Sequence, residues 1–253
     1  MITVCYNSEA TVQDTIESVV NQTYQNIEYI LIDGASKDGT LAIVEQYRNR
    51  ISTIVSEPDK GIYDAMNKGV ALATGEFVGI LNSDDVFADN NTIKNLVDFL
   101  KNNPDLDGCY ADLVFVKRNN INIITRSYSS RIFSARKIRF GIMCPHPTFY
   151  VRRKLFDVMG CFDTSYVVSA DFELITRFIT RGARLRRLRL VMVKMREGGV
   201  STGGLISRIR QNFELVRACK ENGIYTNIFM IAMKIPYKLL GYLSVAWRSL
   251  PNK

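Results

Sequence analysis

The sequence predicts an α/β fold built on a mainly parallel sheet flanked by helices, and three observations carry that expectation. Short β-branched runs alternate with segments of helical periodicity over residues 1–102. The polar clusters Tyr6-Asn7, Asp33-Gly34, Glu57-Pro58-Asp59-Lys60 and Asp84-Asp85 all close such runs. Ligands of parallel sheets gather at that carboxyl edge. The chain has 253 residues, enough for one large domain or a domain with an annex, and its 47% hydrophobic content separates it from disordered chains.

The elements follow in order. Met1 to Tyr6 reads as a strand that begins at once, with no signal peptide, an abruptness expected if a few residues precede it. Asn7 and Ser8 break it and can cap a helix. Val12, Ile16, Val19 and Val20 recur at helical spacing within 11–22. Strands are expected over 27–32, 51–56 and 76–81, and helices over 40–49, 62–74 and 90–102. Beyond Asp107 the pattern changes. Residues 106–117 and 120–128 form an expected antiparallel hairpin, 152–159 a short helix and 171–181 an amphipathic helix. In 184–195 Leu, Val and Met alternate with Arg and Lys, which suggests an edge strand. A glycine-rich loop, Gly198–Gly204, precedes a basic amphipathic helix over 205–222.

Composition excludes several chemistries. One histidine, His146, cannot build a His-rich zinc site. Five widely spaced cysteines without a CxxC argue against a disulfide framework and fit a reducing compartment. The formal charge of +8 conceals an asymmetry: residues 1–112 carry 7 Lys and Arg against 18 Asp and Glu, and residues 113–253 carry 26 against 7. A uniformly basic nucleic-acid binder is not built this way, and no nucleic-acid partner is expected. An acidic half can hold a divalent metal, and a basic half can face phosphates or an anionic membrane.

Asp84-Asp85 directly follows an apolar strand. Adjacent carboxylates repel unless a cation compensates them, and oxygen-only ligands suit Mn²⁺ or Mg²⁺. Such pairs also occur in surface turns. In Asp33-Gly34-Ala35-Ser36-Lys37-Asp38-Gly39-Thr40 the glycines allow close backbone approach, and the segment reads either as an acceptor for a base or ribose or as a strand-to-helix turn.

Thr3-Val-Cys-Tyr-Asn-Ser8, Ile32-Asp-Gly-Ala-Ser-Lys-Asp-Gly-Thr40, Ser56-Glu-Pro-Asp-Lys-Gly-Ile-Tyr-Asp-Ala-Met-Asn-Lys-Gly69 and Leu81-Asn-Ser-Asp-Asp-Val-Phe87 together resemble family 2 glycosyltransferases of the GT-A fold, in particular bacterial enzymes of surface-polysaccharide assembly. The resemblance runs to about Gly204. It implies a domain over 1–204, with a nucleotide-sugar half (1–112) and an acceptor half (113–204), followed by a helical, membrane-associating segment over 205–253. It implies that Tyr6 stacks on the nucleotide base and Asp33 pairs with it. Asp59 and Lys60 line the nucleotide and diphosphate, Asp84 lies near the ribose and donor, and Asp85 is the metal ligand. Ser169-Ala-Asp-Phe-Glu173 resembles the later acidic motif, making Asp171 the catalytic base; an acid in a first helical turn is also favoured by the helix dipole. His146 and Glu173 are candidates for contact with the acceptor or donor sugar.

The sequence departs from the family's pattern in two places. Asn82 and Ala170 stand where the family often has acids. The processive-synthase motif is absent, which argues against a processive polymerase. The expected activity is inverting transfer from a nucleotide-diphosphate sugar, UDP-linked by preference, to a polyprenyl-diphosphate-linked glycan. The expected location is cytoplasmic, at the inner face of the membrane. A sugar nucleotidyltransferase would need a glycine-rich basic loop that Asn7–Thr11 does not offer. A non-catalytic binder of membrane or nucleic acid would leave the acidic strand ends unexplained. The apolar stretch Tyr225–Leu250, broken by Lys234, Lys238, Arg248 and Pro236, suits an interfacial segment better than a spanning helix. Packing on the domain is its other reading.

Overall fold

The computed structural model describes residues 1–198 and 204–233, with no statement on side chains 204–206. Its strands are β1 (Ile2–Cys5), β2 (Ile30–Asp33), β3 (Thr53–Ser56), β4 (Phe77–Val78), β5 (Val86–Phe87), β6 (Gly108–Lys117), β7 (Asn120–Tyr128), β8 (Tyr150–Arg152) and β9 (Leu185–Arg196). The helices are α1 (Val12–Val20), α2 (Thr40–Gln46), α3 (Ile62–Leu72), α4 (Thr92–Lys101), α5 (Lys154–Met159), α6 (Ala170–Thr180), α7 (Gly204–Glu221) and α8 (Ile228–Ala232).

β1 is buried along its whole length, as a parallel strand covered on both faces must be. It pairs in parallel with β2, and β2 with β3, in a register that aligns Cys5, Asp33 and Ser56 in one row at the carboxyl edge. On its other side β1 meets residues 79–81: Ile2 donates to the Gly79 carbonyl at 3.0 Å and accepts from Leu81 N–H at 2.9 Å. From there the order continues β4-β8-β6-β9-β5, with β7 on β6. The sheet is mixed. Its first strands and the β6–β9 pair are parallel, while β4–β8, β8–β6, β6–β7 and β9–β5 are antiparallel. Gly79 marks the tightest joint, because a Cβ there would collide with the Tyr150 ring.

Apolar side chains on either face of the sheet make two cores. Leu31 and Leu81 pack with Val12, Ile16 and Leu96 on one side; Ile2, Ile30 and Ile32 pack with Met66, Phe172, Ile175 and Phe178 on the other. Fully burying one such side chain stabilises the fold by about 1.5–3 kcal/mol. Leu215, Ala218, Cys219 and Ile231, from α7 and α8, belong to the second core. The described part of the C-terminal segment is therefore packed into the same domain.

The structure adds two strands to the reading of the sequence and gives β9 its neighbours. β5 and β8 are strands the sequence did not announce, since two or three residues carry no periodicity and are held only by their partners. β9 is flanked by β6 on one side, while β5 and Ala88 cover its other side only over 192–194, so 185–191 pair on one side alone. Two of its arginines have individual partners, Arg187 on Asp112 at 2.6 Å and Arg186 on Asn103 at 2.5 Å. The Gly198–Gly204 loop, apart from its end residues, and the segment after Met233 lie outside the described residues. All five cysteines are unpaired thiols.

Candidate active site

The carboxyl edge of β1, β2 and β3 is tied together by side chains. Asp33 is completely buried; its carboxylate accepts from Ser36 N–H at 3.0 Å, from the Ser36 hydroxyl and from the Ser56 hydroxyl at 2.7 Å. The register of β2 and β3 makes the last contact possible, because Asp33 stands opposite Ser56. Asp38 accepts from Thr40 and Glu9 N–H, and Asn7 Oδ1 accepts from Lys37 N–H at 2.9 Å. Asn7 and Ala35 both adopt left-handed backbone (φ 48° and 62°), a conformation asparagine tolerates better than most residues. The loops after β1 and β2 thus form one rigid wall.

Tyr6 projects from that wall, 57% exposed. Beside it Gly34 permits a close approach. A Cβ there would run into the Asp59 carboxylate and touch the Tyr6 ring. Asp59 is itself held by Gly61 N–H at 2.8 Å, at the left-handed residue that opens α3 (φ 114°). Tyr6, Gly34 and Asp59 therefore share one surface, with the exposed Lys60 next to it.

The turn between β4 and β5 holds the acidic pair. Asp85 is fully buried; one carboxylate oxygen accepts from Arg196 N–H at 3.2 Å and the other has no hydrogen-bond partner. Burial, reinforced by Asp84, pushes its pKa well above the usual carboxylate range. Asn82 Oδ1, in the same turn, is also buried without a partner. Two orphaned acceptor oxygens beside a half-buried Asp84 fit a hard divalent cation. No group of three or more His, Cys, Asp or Glu side chains converges among the described residues. A cation here would draw on few protein ligands and complete its shell with water and phosphate oxygens, as Mg²⁺ and Mn²⁺ do. Ser8 and Ser83 hydroxyls, 2.8 Å apart, join this turn to the first wall.

Across the cleft α6 begins. Asp171 lies in its first turn, and His146 Nδ1 stands 3.5 Å from Asp171 Oδ2. The other imidazole nitrogen is 3.4 Å from Asn82 Nδ2. With the amide so oriented, Nε2 accepts and Nδ1 carries the proton toward Asp171. Burial lowers the His146 pKa, against the opposing pull of Asp171 and Asp84, so the ring is neutral near pH 7. His146 thus bridges the base position to the acidic turn. Asp171 and His146 also line a small apolar cavity with Leu174, Ile175 and Phe149.

Glu173 is not brought to the site. Two positions along a helix is about 200° of rotation, and its carboxylate is buried on the far side, paired with Arg177 at 2.8 Å and accepting from Asn222 at 3.2 Å. Arg177 in turn holds the Met159 and Cys161 carbonyls, so the pair fastens α6 to its neighbours.

Three residues absent from the sequence-derived set shape the site. Arg196 ends β9, donates to the Asp84 carbonyl at 2.7 Å and to the Arg118 carbonyl at 3.1 Å, and pairs with Asp14. Glu214 of α7 accepts from Val167, Val168 and Ser169 N–H at 2.9, 3.0 and 2.9 Å. The Tyr63 phenol oxygen faces the N–H groups of Ala170 and Asp171, and its pKa is raised by burial and by Asp171. All three act across long sequence separations, which local patterns do not report.

Known proteins agree with this geometry. Residues 1–160 match the profile described as Glycosyl transferase family 2. A PGL/p-HBAD biosynthesis glycosyltransferase of Mycobacterium tuberculosis is 30% identical over 193 residues, 74% of this chain and 72% of that protein. The Escherichia coli UDP-Glc:alpha-D-GlcNAc-diphosphoundecaprenol beta-1,3-glucosyltransferase WfaP is 28% identical over 218 residues, 84% and 83% of the two chains. Among solved structures, S. aureus TarS 1–349 with UDP-GlcNAc superposes with a TM-score of 0.69 at 18% identity, over 96% of this chain and 74% of that one. Against two further TarS structures the chain spans 64% and 40% of their length. The Pyrobaculum calidifontis mannosyltransferase PcManGT with GDP-Man and Mn²⁺ gives 0.67 at 21% identity, covering 99% and 75%. The last two share the GT-A-like fold. The profile match over more than half of the chain, with the site above at the expected strand ends, makes this chain a member of glycosyl transferase family 2.

Proposed function

We propose that the protein is an inverting, metal-dependent glycosyltransferase that moves a sugar from a UDP-sugar to a polyprenyl-diphosphate-linked glycan, as a step of surface-polysaccharide assembly. The observation that carries this reading is the bridge from Asp171 through His146 to Asn82, in the same turn as the orphaned carboxylate oxygen of Asp85. It sets a proton acceptor across a cleft from an anion-compensating site. WfaP acts, by its name, on a diphosphoundecaprenol-linked sugar, and TarS binds UDP-GlcNAc; both support the choice of substrates.

In this reading the base lies on Tyr6, and Asp33 meets its N–H as the Ser36 hydroxyl turns aside. Asp59 and Lys60 line the nucleotide and diphosphate, and Asp84 faces the ribose and donor sugar. Asp85 would hold Mn²⁺ or Mg²⁺, which would supply positive charge to offset the negative charge developing on the departing diphosphate. Asp171 takes the proton of the acceptor hydroxyl as that oxygen attacks C1 from the face opposite the leaving group. The C1–O bond to the diphosphate breaks, UDP departs, and the anomeric configuration inverts. His146 donates through Nδ1 to Asp171 and holds the carboxylate toward the cleft. Glu173 has no role in the chemistry. The protein works as a cytoplasmic, peripheral enzyme at the inner face of the membrane; among the described residues no helix is long and apolar enough to cross one.

A panel of UDP-sugars incubated with the protein and Mn²⁺ tests this reading. One donor releasing UDP slowly, and faster with a lipid-linked acceptor, is the expected result. No UDP release from any donor, with ion and acceptor present, would overturn it.

A further inference from the structure

We infer that an anionic lipid surface docks on a composite face made by α8 and the short helical segment Ala135–Phe140. This deepens the lipid-linked reading above by identifying where the membrane touches the domain.

The apolar half of the face is α8 and its approach. Ile231 is buried and anchors the helix in the core. Tyr225, Phe229 and Met233 recur at four-residue spacing and are 73%, 82% and 63% exposed, with Ile228 and Ala232 exposed beside them. Scattered exposed apolar residues are ordinary, but Ile228, Phe229, Ala232 and Met233 are exposed together on and just past this short helix, with Tyr225 in its approach, and water solvates such a cluster poorly.

The basic half lies alongside. Ile138 is buried and pins Ala135–Phe140 to the domain, and the Cys219 thiol approaches its carbonyl at 3.8 Å. Thr226, just ahead of α8, donates to the Arg139 carbonyl at 2.5 Å, which joins the two pieces. Arg136, Lys137 and Arg139 are all exposed. None has an ion-pair partner among the described residues.

The acids of this half are committed elsewhere. Asp157 pairs with Arg153, Asp163 and Glu221 with Arg217, and Glu173 with Arg177. Glu214 caps α6, Glu197 accepts from Thr125, and Asp171 faces His146. These are all seven acids of residues 113–253. Among the described residues none of these acids is paired with the three cations, which leaves them exposed to meet a complementary charge on a partner. An aromatic and aliphatic stripe bordered by unpaired Arg and Lys matches the bilayer interface, where rings lie at headgroup depth and cations meet anionic lipid. A nucleic acid would use the cations and leave the stripe without a role. The same segment leads through Gly141 to the short 3₁₀ turn His146–Thr148, so docking here brings the base side of the cleft to the lipid-linked acceptor.

The test is flotation of the full chain with vesicles of phosphatidylethanolamine and phosphatidylglycerol, against pure phosphatidylcholine. Binding to the anionic vesicles alone is expected. R136Q/K137Q/R139Q should weaken it roughly 100-fold, at about fivefold per cation. F229S/M233S should weaken it roughly tenfold or more, with both variants releasing UDP from a soluble donor at the parent rate. No binding to anionic vesicles, or unchanged binding in the cation variant, would overturn the proposal. So would loss in the cation variant with none in F229S/M233S, which would mark a purely electrostatic polyanion site. Because UDP release is read separately, failure of the docking face is distinguishable from failure of the transferase reading.

Discussion

The carboxylate of Glu214 accepts the backbone N–H of Ser169 at 2.9 Å, two residues before Asp171, and takes Val167 and Val168 with the same group. A helix N-terminus leaves its first N–H groups without partners. Here a side chain from α7 supplies the acceptor and leaves the Asp171 carboxylate to the cleft. Glu214→Ala strands these donors in a mostly buried place, at roughly 1–3 kcal/mol for each that water cannot reach. The expected outcome is a lower urea midpoint and a turnover that falls at least tenfold while the UDP dissociation constant stays within twofold. Urea unfolding, steady-state kinetics and calorimetric UDP titration check it.

Asp171→Asn keeps the shape of the first turn of α6 and removes the proton acceptor. Loss of a general base costs roughly 10²–10⁴ in rate. Turnover should fall by that factor with donor affinity unchanged; parent-like turnover would remove Asp171 from the role of base.

Asp85→Asn should separate stability from function. A carboxylate whose folded pKa is raised binds more protons folded than unfolded, so its contribution to stability is lost as pH rises above the ordinary carboxylate value. The neutral amide escapes that cost. At pH 7 without divalent ion the variant should therefore melt higher than the parent, by roughly 1–3 kcal/mol of stability. With Mn²⁺ and UDP the order should reverse, because only the parent gains from the ion. Melting curves with and without Mn²⁺ and UDP decide it.

Gly34→Ala places a methyl group against the Asp59 carboxylate and the Tyr6 ring. The backbone there is not left-handed, so the fold should tolerate the change. UDP affinity should drop about tenfold, read by titration, with little shift in melting temperature.

His146 gives a pH signature. Its folded pKa lies below the unfolded value of about 6.5. Between the two values the unfolded chain binds more protons, so stability rises with pH through that window and is lost as pH falls through it, with no further loss below the folded value. The parent should lose up to about 1.4 kcal/mol per pH unit on this account, and His146→Gln should lack that part of the slope. Melting temperatures between pH 5 and 8 measure it.

Much of this was legible in the sequence, and what was not has physical reasons. β1, β2 and the helices α1 to α4 were readable because buried parallel strands are apolar throughout and their helices keep a 3.6-residue period. β5 and β8 were not, since strands of two and three residues exist only through their neighbours. The alternation in β9 falls on the part of the strand that pairs on one side alone, yet it does not report that Arg187 is satisfied by Asp112, a partner no local pattern names. Asp84 and Asp85 drew notice as adjacent acids after an apolar strand, among other polar strand ends and within a segment that resembles the family's. That Asp171 and Glu173 face opposite ways follows from helical rotation and was open to the sequence; that Arg196 and Glu214 brace the site was not, since each works on residues far away in the chain.

The stretch 171–196 runs away from the cleft as α6, turns at Gly182 (φ 90°) and returns as β9. Its first residue is the proposed base, and its last, Arg196, clamps the acidic turn. The two ends of the chemistry are therefore the two tips of a single caliper whose opening is set by helix rise and strand register. One residue inserted within β9 would flip its remaining side chains to the other face and withdraw Arg196 from Asp84. The same guanidinium holds the Arg118 carbonyl, so the caliper's far tip also reaches the β6–β7 turn. Length variation between homologous chains should accordingly be sparse within 171–196 and at the Arg118-Asn119 turn.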